Sequence, residues 1–132
     1  MTVTSDVAQS IRDLAHKEYP HEACGALLGN DHAITEVLPL PNSTTEEARR
    51  RFRIRPEDYR RVEGRAEATQ KKLIGFFHSH PDHPAAPSAY DLEHAWPNLV
   101  YLIVSVTRDG AGELTAWRLS EDRSRFDKVI TR

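Results

Sequence analysis

The chain has 132 residues and a mass of 15.0 kDa, room for one domain of ordinary size over residues 1–132. Apolar residues make up 39%, charged residues 29% and the formal net charge is -2, which predicts a soluble folded domain and excludes a disordered chain or a strongly basic nucleic-acid binder. The longest apolar run, Leu99 to Val106, is far short of the roughly 18 residues that cross a bilayer, so no membrane partner is expected.

The first residues carry neither a basic start nor an apolar stretch, so no signal peptide is visible and a cytoplasmic protein is expected. Asp6 to Tyr19 predicts an amphipathic helix. Val7, Ile11, Leu14 and Ala15 recur at helical spacing, Asp6 stands as its cap and Pro20 closes it. Ala23 to Leu28 is short and apolar like a buried strand, and Gly29-Asn30-Asp31 supplies the turn into a second strand over Ala33 to Leu38. A loop rich in proline, serine and threonine follows to about Arg51, then a brief strand at Phe52 to Ile54. Pro56 suits the first turn of a helix running to Lys71. Leu73 to Phe77 is again strand-like, and the prolines from Pro81 to Pro87 predict a loop. Ser88, with an acid three residues on, opens a short helix that ends before Pro97. Leu99 to Val106 predicts a central strand, Asp109-Gly110 a turn, Glu113 to Leu119 a half-buried strand and Phe126 to Ile130 an edge strand. The order implies an α/β (α+β) fold with one mixed sheet flanked by helices.

Chemistry concentrates in His78-Ser-His80-Pro-Asp-His-Pro-Ala-Ala-Pro-Ser88-Ala-Tyr-Asp91. Strand periodicity sets His78 and His80 on one face, where both imidazoles reach one metal ion at the usual zinc–nitrogen distance of about 2.0–2.1 Å. Ser88 and Asp91 share one face of the following helix, so a carboxylate there completes three ligands and leaves the fourth position open for water. A histidine pair alone is more often incidental than ligating. The full H-x-H-x7-S-x2-D spacing, however, arises by chance roughly once in a thousand chains of this composition. His78 to His83 also satisfies H-x-H-x-D-H, the signature of the metallo-β-lactamase fold. That fold is longer than this chain and needs further downstream ligands, whereas His94 is the only histidine after His83.

The spacing resembles the JAMM (MPN+) family of zinc metallopeptidases, in which an upstream glutamate precedes H-x-H-x7-S-x2-D. The run Pro20-His-Glu22-Ala-Cys-Gly-Ala-Leu-Leu-Gly29 places Glu22 at that upstream position. The resemblance covers essentially the whole chain and implies the MPN/JAMM (cytidine-deaminase-like) fold. It implies one zinc ion per chain on His78, His80 and Asp91, with Glu22 as general base and then acid, and Ser88 on the oxyanion. Without the resemblance, Glu22 reads as a solvated acid at a strand start. Short members with P-H-E-A-C-G and H-S-H-P-D-H-P-A-x-P-S resemble bacterial peptidases that remove cysteine from a ubiquitin-like sulfur carrier. The implied partner is the Gly-Gly tail of such a carrier, and the implied bond is peptide or isopeptide. A metal-free binding module of the same fold and a peptidase for cell-wall or phage-type peptides are the alternatives.

The other polar and aromatic residues have simpler readings. Cys24 is the single cysteine, which excludes an internal disulfide, and it reads as a small buried group sharing a strand face with Glu22. Asp82 and His83 read as solvated loop residues, His94 as a surface residue, and Trp96 and Trp117 as core or rim aromatics. The arginines from Arg49 to Arg65 are diluted by glutamate and aspartate and read as a solvated, salt-bridged face, with docking of an acidic partner as the alternative.

Overall fold

The computed structural model describes residues 1–42 and 55–131, the side chain of residue 94 excepted. The strand expected at Phe52 to Ile54 and the arginines Arg49, Arg50, Arg51 and Arg53 lie outside the described residues. In chain order the elements are β1 (Thr2–Val3), α1 (Ser5–Glu18), β2 (Cys24–Gly29), β3 (Ala33–Leu40), α2 (Pro56–Thr69), β4 (Lys72–Pro81), α3 (Ala89–His94), β5 (Val100–Thr107), β6 (Gly110–Leu119) and β7 (Phe126–Val129). No described helix is long and apolar enough to cross a membrane.

The strands form one seven-stranded sheet in the order β1-β3-β2-β4-β5-β6-β7. Among the described residues only β1 with β3 and β4 with β5 pair in parallel, so the sheet is mixed, as the order of elements implied. The parallel pair lies at its centre and is covered on both faces, which is why Val100 to Val104 is apolar at every position. One face packs Val7, Ile11 and Ala15 of α1 against Leu27, Phe77, Leu102 and Val104. The other packs Val62 and Ala66 of α2 against Ala26, Leu28, Phe76 and Tyr101. Gly75 has a local reason: a methyl group there would collide with the Val100 carbonyl of the paired strand.

Three local expectations are corrected. The cap of α1 is Thr4, whose hydroxyl accepts from the Val7 amide at 3.3 Å; Asp6 sits inside the first turn. A two-residue strand, β1, pairs with β3; so short an element carries no period to read. Strand β4 runs on through Pro81, past Phe77. A proline is tolerated there because it takes the last ladder position opposite Val106, and the next amide, Asp82 N, donates to the Val106 carbonyl at 2.7 Å.

Candidate metal centre

The extended β4 carries His78 and His80 on the face shared with Phe76, toward α3, and buries both. Ser88 caps α3: its hydroxyl accepts from the Asp91 amide at 3.1 Å, and Asp91 Oδ2 accepts from the Ser88 amide at 2.8 Å. That reciprocal capping turns the Asp91 carboxylate back toward the strand. The same Oδ2 lies 3.2 Å from His78 Nε2 and 3.1 Å from His80 Nε2, and the two nitrogens are 3.0 Å apart.

Three electron-pair donors thus meet in a nearly equilateral triangle. A shared proton can satisfy one edge of it; a metal ion satisfies all three. Ligands about 2.0–2.1 Å from a tetrahedral ion stand roughly 3.3 Å apart, so this donor set fits a small divalent cation. His80 Nδ1 lies 2.9 Å from the Pro84 carbonyl. Because a carbonyl only accepts, that ring nitrogen carries the proton and Nε2 of the neutral ring keeps its lone pair for the centre. The loop supplying Pro84 is itself pinned, since the buried Thr115 hydroxyl donates to the Ala85 carbonyl and accepts from Trp117 Nε1 at 2.8 Å.

Charge follows from the same packing. Burial, helped by His80, holds the His78 imidazole below its ordinary value despite the Asp91 carboxylate. At His80 burial pulls the same way, but the Asp91 and Pro84 hydrogen bonds prevail and raise it. Burial pushes Asp91 up, while both histidines and the Ser88 amide outweigh it and hold the carboxyl far below the usual range. At neutral pH the carboxylate is therefore ionised and His78 neutral, as a cation needs, while at His80 a cation would displace the proton that these bonds favour.

Glu22 is buried, 3% exposed, which corrects its reading as a solvated acid. Strand β2 pairs antiparallel with β4 so that Cys24 faces His78, and Ser79 N donates to the Ala23 carbonyl at 3.0 Å. The same register carried one residue further sets Glu22 beside His80. A Glu22 carboxylate oxygen and one ring nitrogen from each of His78 and His80 all lie within 4.8 Å of one another. Cys24 is buried and its thiol donates to the Leu40 carbonyl at 3.4 Å. Burial, reinforced by Glu22, pushes that thiol up to about 12, so it is inert packing at neutral pH.

A cavity of about 840 Å³ opens beside the triangle and shares His78 and Asp91 with it. Its walls are aromatic (Tyr59, Phe76, Tyr101 and Phe126), and Arg60 and Arg123 also line it. Trp96, 61% exposed, is its rim, held by a 2.8 Å bond from its amide to the Tyr101 hydroxyl. Sequence reasoning gave no role to three residues near the centre: Tyr19, Ser79 and Thr115. The readable signal was a hydroxyl inside an otherwise apolar strand, at Ser79 and Thr115. Asp82 is exposed as expected, yet it accepts the Tyr19 hydroxyl on both oxygens at 2.9 Å.

Comparison with known proteins agrees with this architecture. The model of the prokaryotic homologues of the JAB domain matches residues 4–120. The chain is 33% identical to the desampylase of Haloferax volcanii, over 95% of this chain and 91% of that protein. It is 24% identical to the CysO-cysteine peptidase of Mycobacterium tuberculosis, over 90% of this chain and 82% of that one. A solution structure of a Salinibacter ruber protein superposes with a TM-score of 0.79 at 37% identity, covering 99% of this chain and 90% of that one. The family model over most of the chain and the named relatives agree: the chain is a hydrolase belonging to the prokaryotic homologues of the JAB domain, a peptidase family.

Proposed function

We propose that the chain is a zinc-dependent peptidase that hydrolyses the peptide or isopeptide bond after the C-terminal Gly-Gly of a ubiquitin-like sulfur-carrier protein, releasing cysteine where cysteine follows the tail. The observation that carries the reading is the approach of His78 Nε2, His80 Nε2 and Asp91 Oδ2 to 3.0–3.2 Å of one another, with Glu22 buried alongside. These three residues would hold one zinc ion per chain. Asp91 is favoured over Glu22 as third ligand because its oxygen already stands at ligand-to-ligand spacing, while Glu22 belongs to a group spread over as much as 4.8 Å.

When bound, the ion supplies Lewis acidity, which acidifies water and polarises a carbonyl. Glu22 takes a proton from the attacking water and hands it to the leaving nitrogen as the C–N bond breaks, so the carboxylate ends as it began. The Ser88 hydroxyl accepts from the Asp91 amide, which leaves its own proton to donate to the developing oxyanion. The aromatic cavity beside the centre suits an extended tail, and a relative named CysO-cysteine peptidase supports cysteine as leaving group.

The test is a cleavage assay on the host's ubiquitin-like carriers, each extended by cysteine beyond Gly-Gly, with metal analysis of the same preparation. Cleavage after the second glycine, lost on chelation and restored by zinc, is expected. Cleavage of cell-wall-type peptides with none of the carriers would overturn the substrate, and a protein that takes up no zinc would overturn the chemistry.

A further inference from the structure

Glu22 lies in the turn between α1 and β2, where no helix or strand ladder fixes it. Its backbone is nonetheless held through its own carbonyl and through its neighbour Ala23. The Glu22 carbonyl accepts from Asn42 Nδ2 at 3.4 Å. The next residue, Ala23, is bound twice by Ser79: its amide donates to Ser79 Oγ at 2.8 Å, and its carbonyl accepts from the Ser79 amide at 3.0 Å. Three residues before Glu22, the Tyr19 hydroxyl reaches Asp82 across the same junction. Residues 19–23 are thus fastened at both ends to residues 79–82, the stretch that contains His80.

Ser79 alternates with its histidine neighbours and faces the α1 side, in line with Phe77. It is 0% exposed, so water does not compete for its bonds. Every other described position of β4 from Ile74 to Phe77 is apolar or glycine. A hydroxyl at 79 that touches neither the triangle nor the cavity needs another purpose, and the Ala23 amide supplies it. The backbone bond fixes the Ala23 carbonyl, on the β2 side, whereas the second, through Oγ, fixes its amide, the side that leads to Glu22. A displacement of about 1 Å at a proton-transferring group is enough to cost roughly 10²-fold in rate.

We infer that Ser79 is a positioning residue for Glu22, its hydroxyl setting the carboxylate over the His78–His80 edge, with Tyr19–Asp82 as the second fastening. The inference rests on the reading of Glu22 as proton acceptor. The test compares Ser79→Ala and Ser79→Thr, each with and without Glu22→Gln. Turnover of the Gly-Gly-Cys carrier, zinc content and hydrogen exchange of the Ala23 amide are measured on all of them. Ser79→Ala should keep its zinc and its KM within about twofold, speed exchange at Ala23 and lower kcat roughly 10- to 100-fold. Ser79→Thr, which retains the hydroxyl, should restore both exchange and kcat. In the Glu22→Gln background Ser79→Ala should cost nothing further, because its effect runs through the carboxylate.

Losses that multiply in the double variant, or an unchanged kcat in Ser79→Ala, would overturn the positioning role and leave Glu22 as the base. Full turnover by Glu22→Gln alone would overturn both. Should Ser79→Ala fail to fold, Tyr19→Phe at the exposed fastening is held to the same criterion: a kcat loss that vanishes in the Glu22→Gln background supports the clamp, and one that multiplies overturns it.

Discussion

Asp91 Oδ2 accepts the Ser88 amide at 2.8 Å and stands 3.1 Å from His80 Nε2, so one oxygen both caps a helix and faces the candidate metal centre. Helix α3 is only six residues long, so its cap supplies much of its local stability. The bond from the Ser88 amide is what turns this carboxylate toward the two imidazoles.

The two duties of Asp91 can be separated. Asp91→Asn keeps an oxygen for the Ser88 amide but loses the charge, while Asp91→Ala loses both. Both variants should bind zinc at least roughly 10²-fold more weakly than the native chain. In metal-free protein the asparagine variant should be the more stable by about 1 kcal/mol. Zinc titration and urea unfolding of the two variants check this.

Ser88→Ala removes the hydroxyl that accepts from the Asp91 amide as well as the donor assigned to the oxyanion. A stability loss of about 1 kcal/mol is expected from the cap. A fall in kcat of roughly 10²-fold, with zinc content unchanged, is expected from the lost donor. Unfolding curves, metal analysis and steady-state kinetics on one preparation separate the effects.

The arginines of α2 divide into different duties. Arg61 donates to the Pro39 carbonyl at 3.1 Å and Arg65 pairs with Glu36 at 2.8 Å, both tying α2 to β3, whereas Arg60 lines the cavity. Arg60→Glu should therefore raise KM for a folded acidic carrier at low salt while leaving a short tail peptide unaffected, a difference screened over about 10 Å at 0.1 M salt. Arg61→Glu should lower stability instead. Kinetics on both substrates at two ionic strengths, with melting curves, decide between them.

The thiol of Cys24, pushed up to about 12 by burial, should resist alkylation. At pH 8 the folded protein should react with iodoacetamide at least roughly a hundredfold more slowly than the unfolded chain, whose thiol returns to about 8.5. Mass spectrometry of time points with and without denaturant measures the ratio.

The sequence by itself determined most of the described elements, β1 and the full length of β4 excepted, and the local half of the candidate centre. His78, His80, Ser88 and Asp91 fall within one strand–loop–helix stretch. There, the two-residue strand period and the capping spacing are enough to bring imidazole and carboxylate together. Glu22 was legible only through a family resemblance, and its burial was not legible at all. Only the tertiary structure decided both, because a strand register such as Cys24 opposite His78 is set by long-range pairing. The supports around the centre were hidden for the same reason. The Tyr19–Asp82 bond, the Ser79–Ala23 pair and the Thr115 hold on Ala85 each join residues distant in sequence, and no local period reports which buried hydroxyl meets which backbone group.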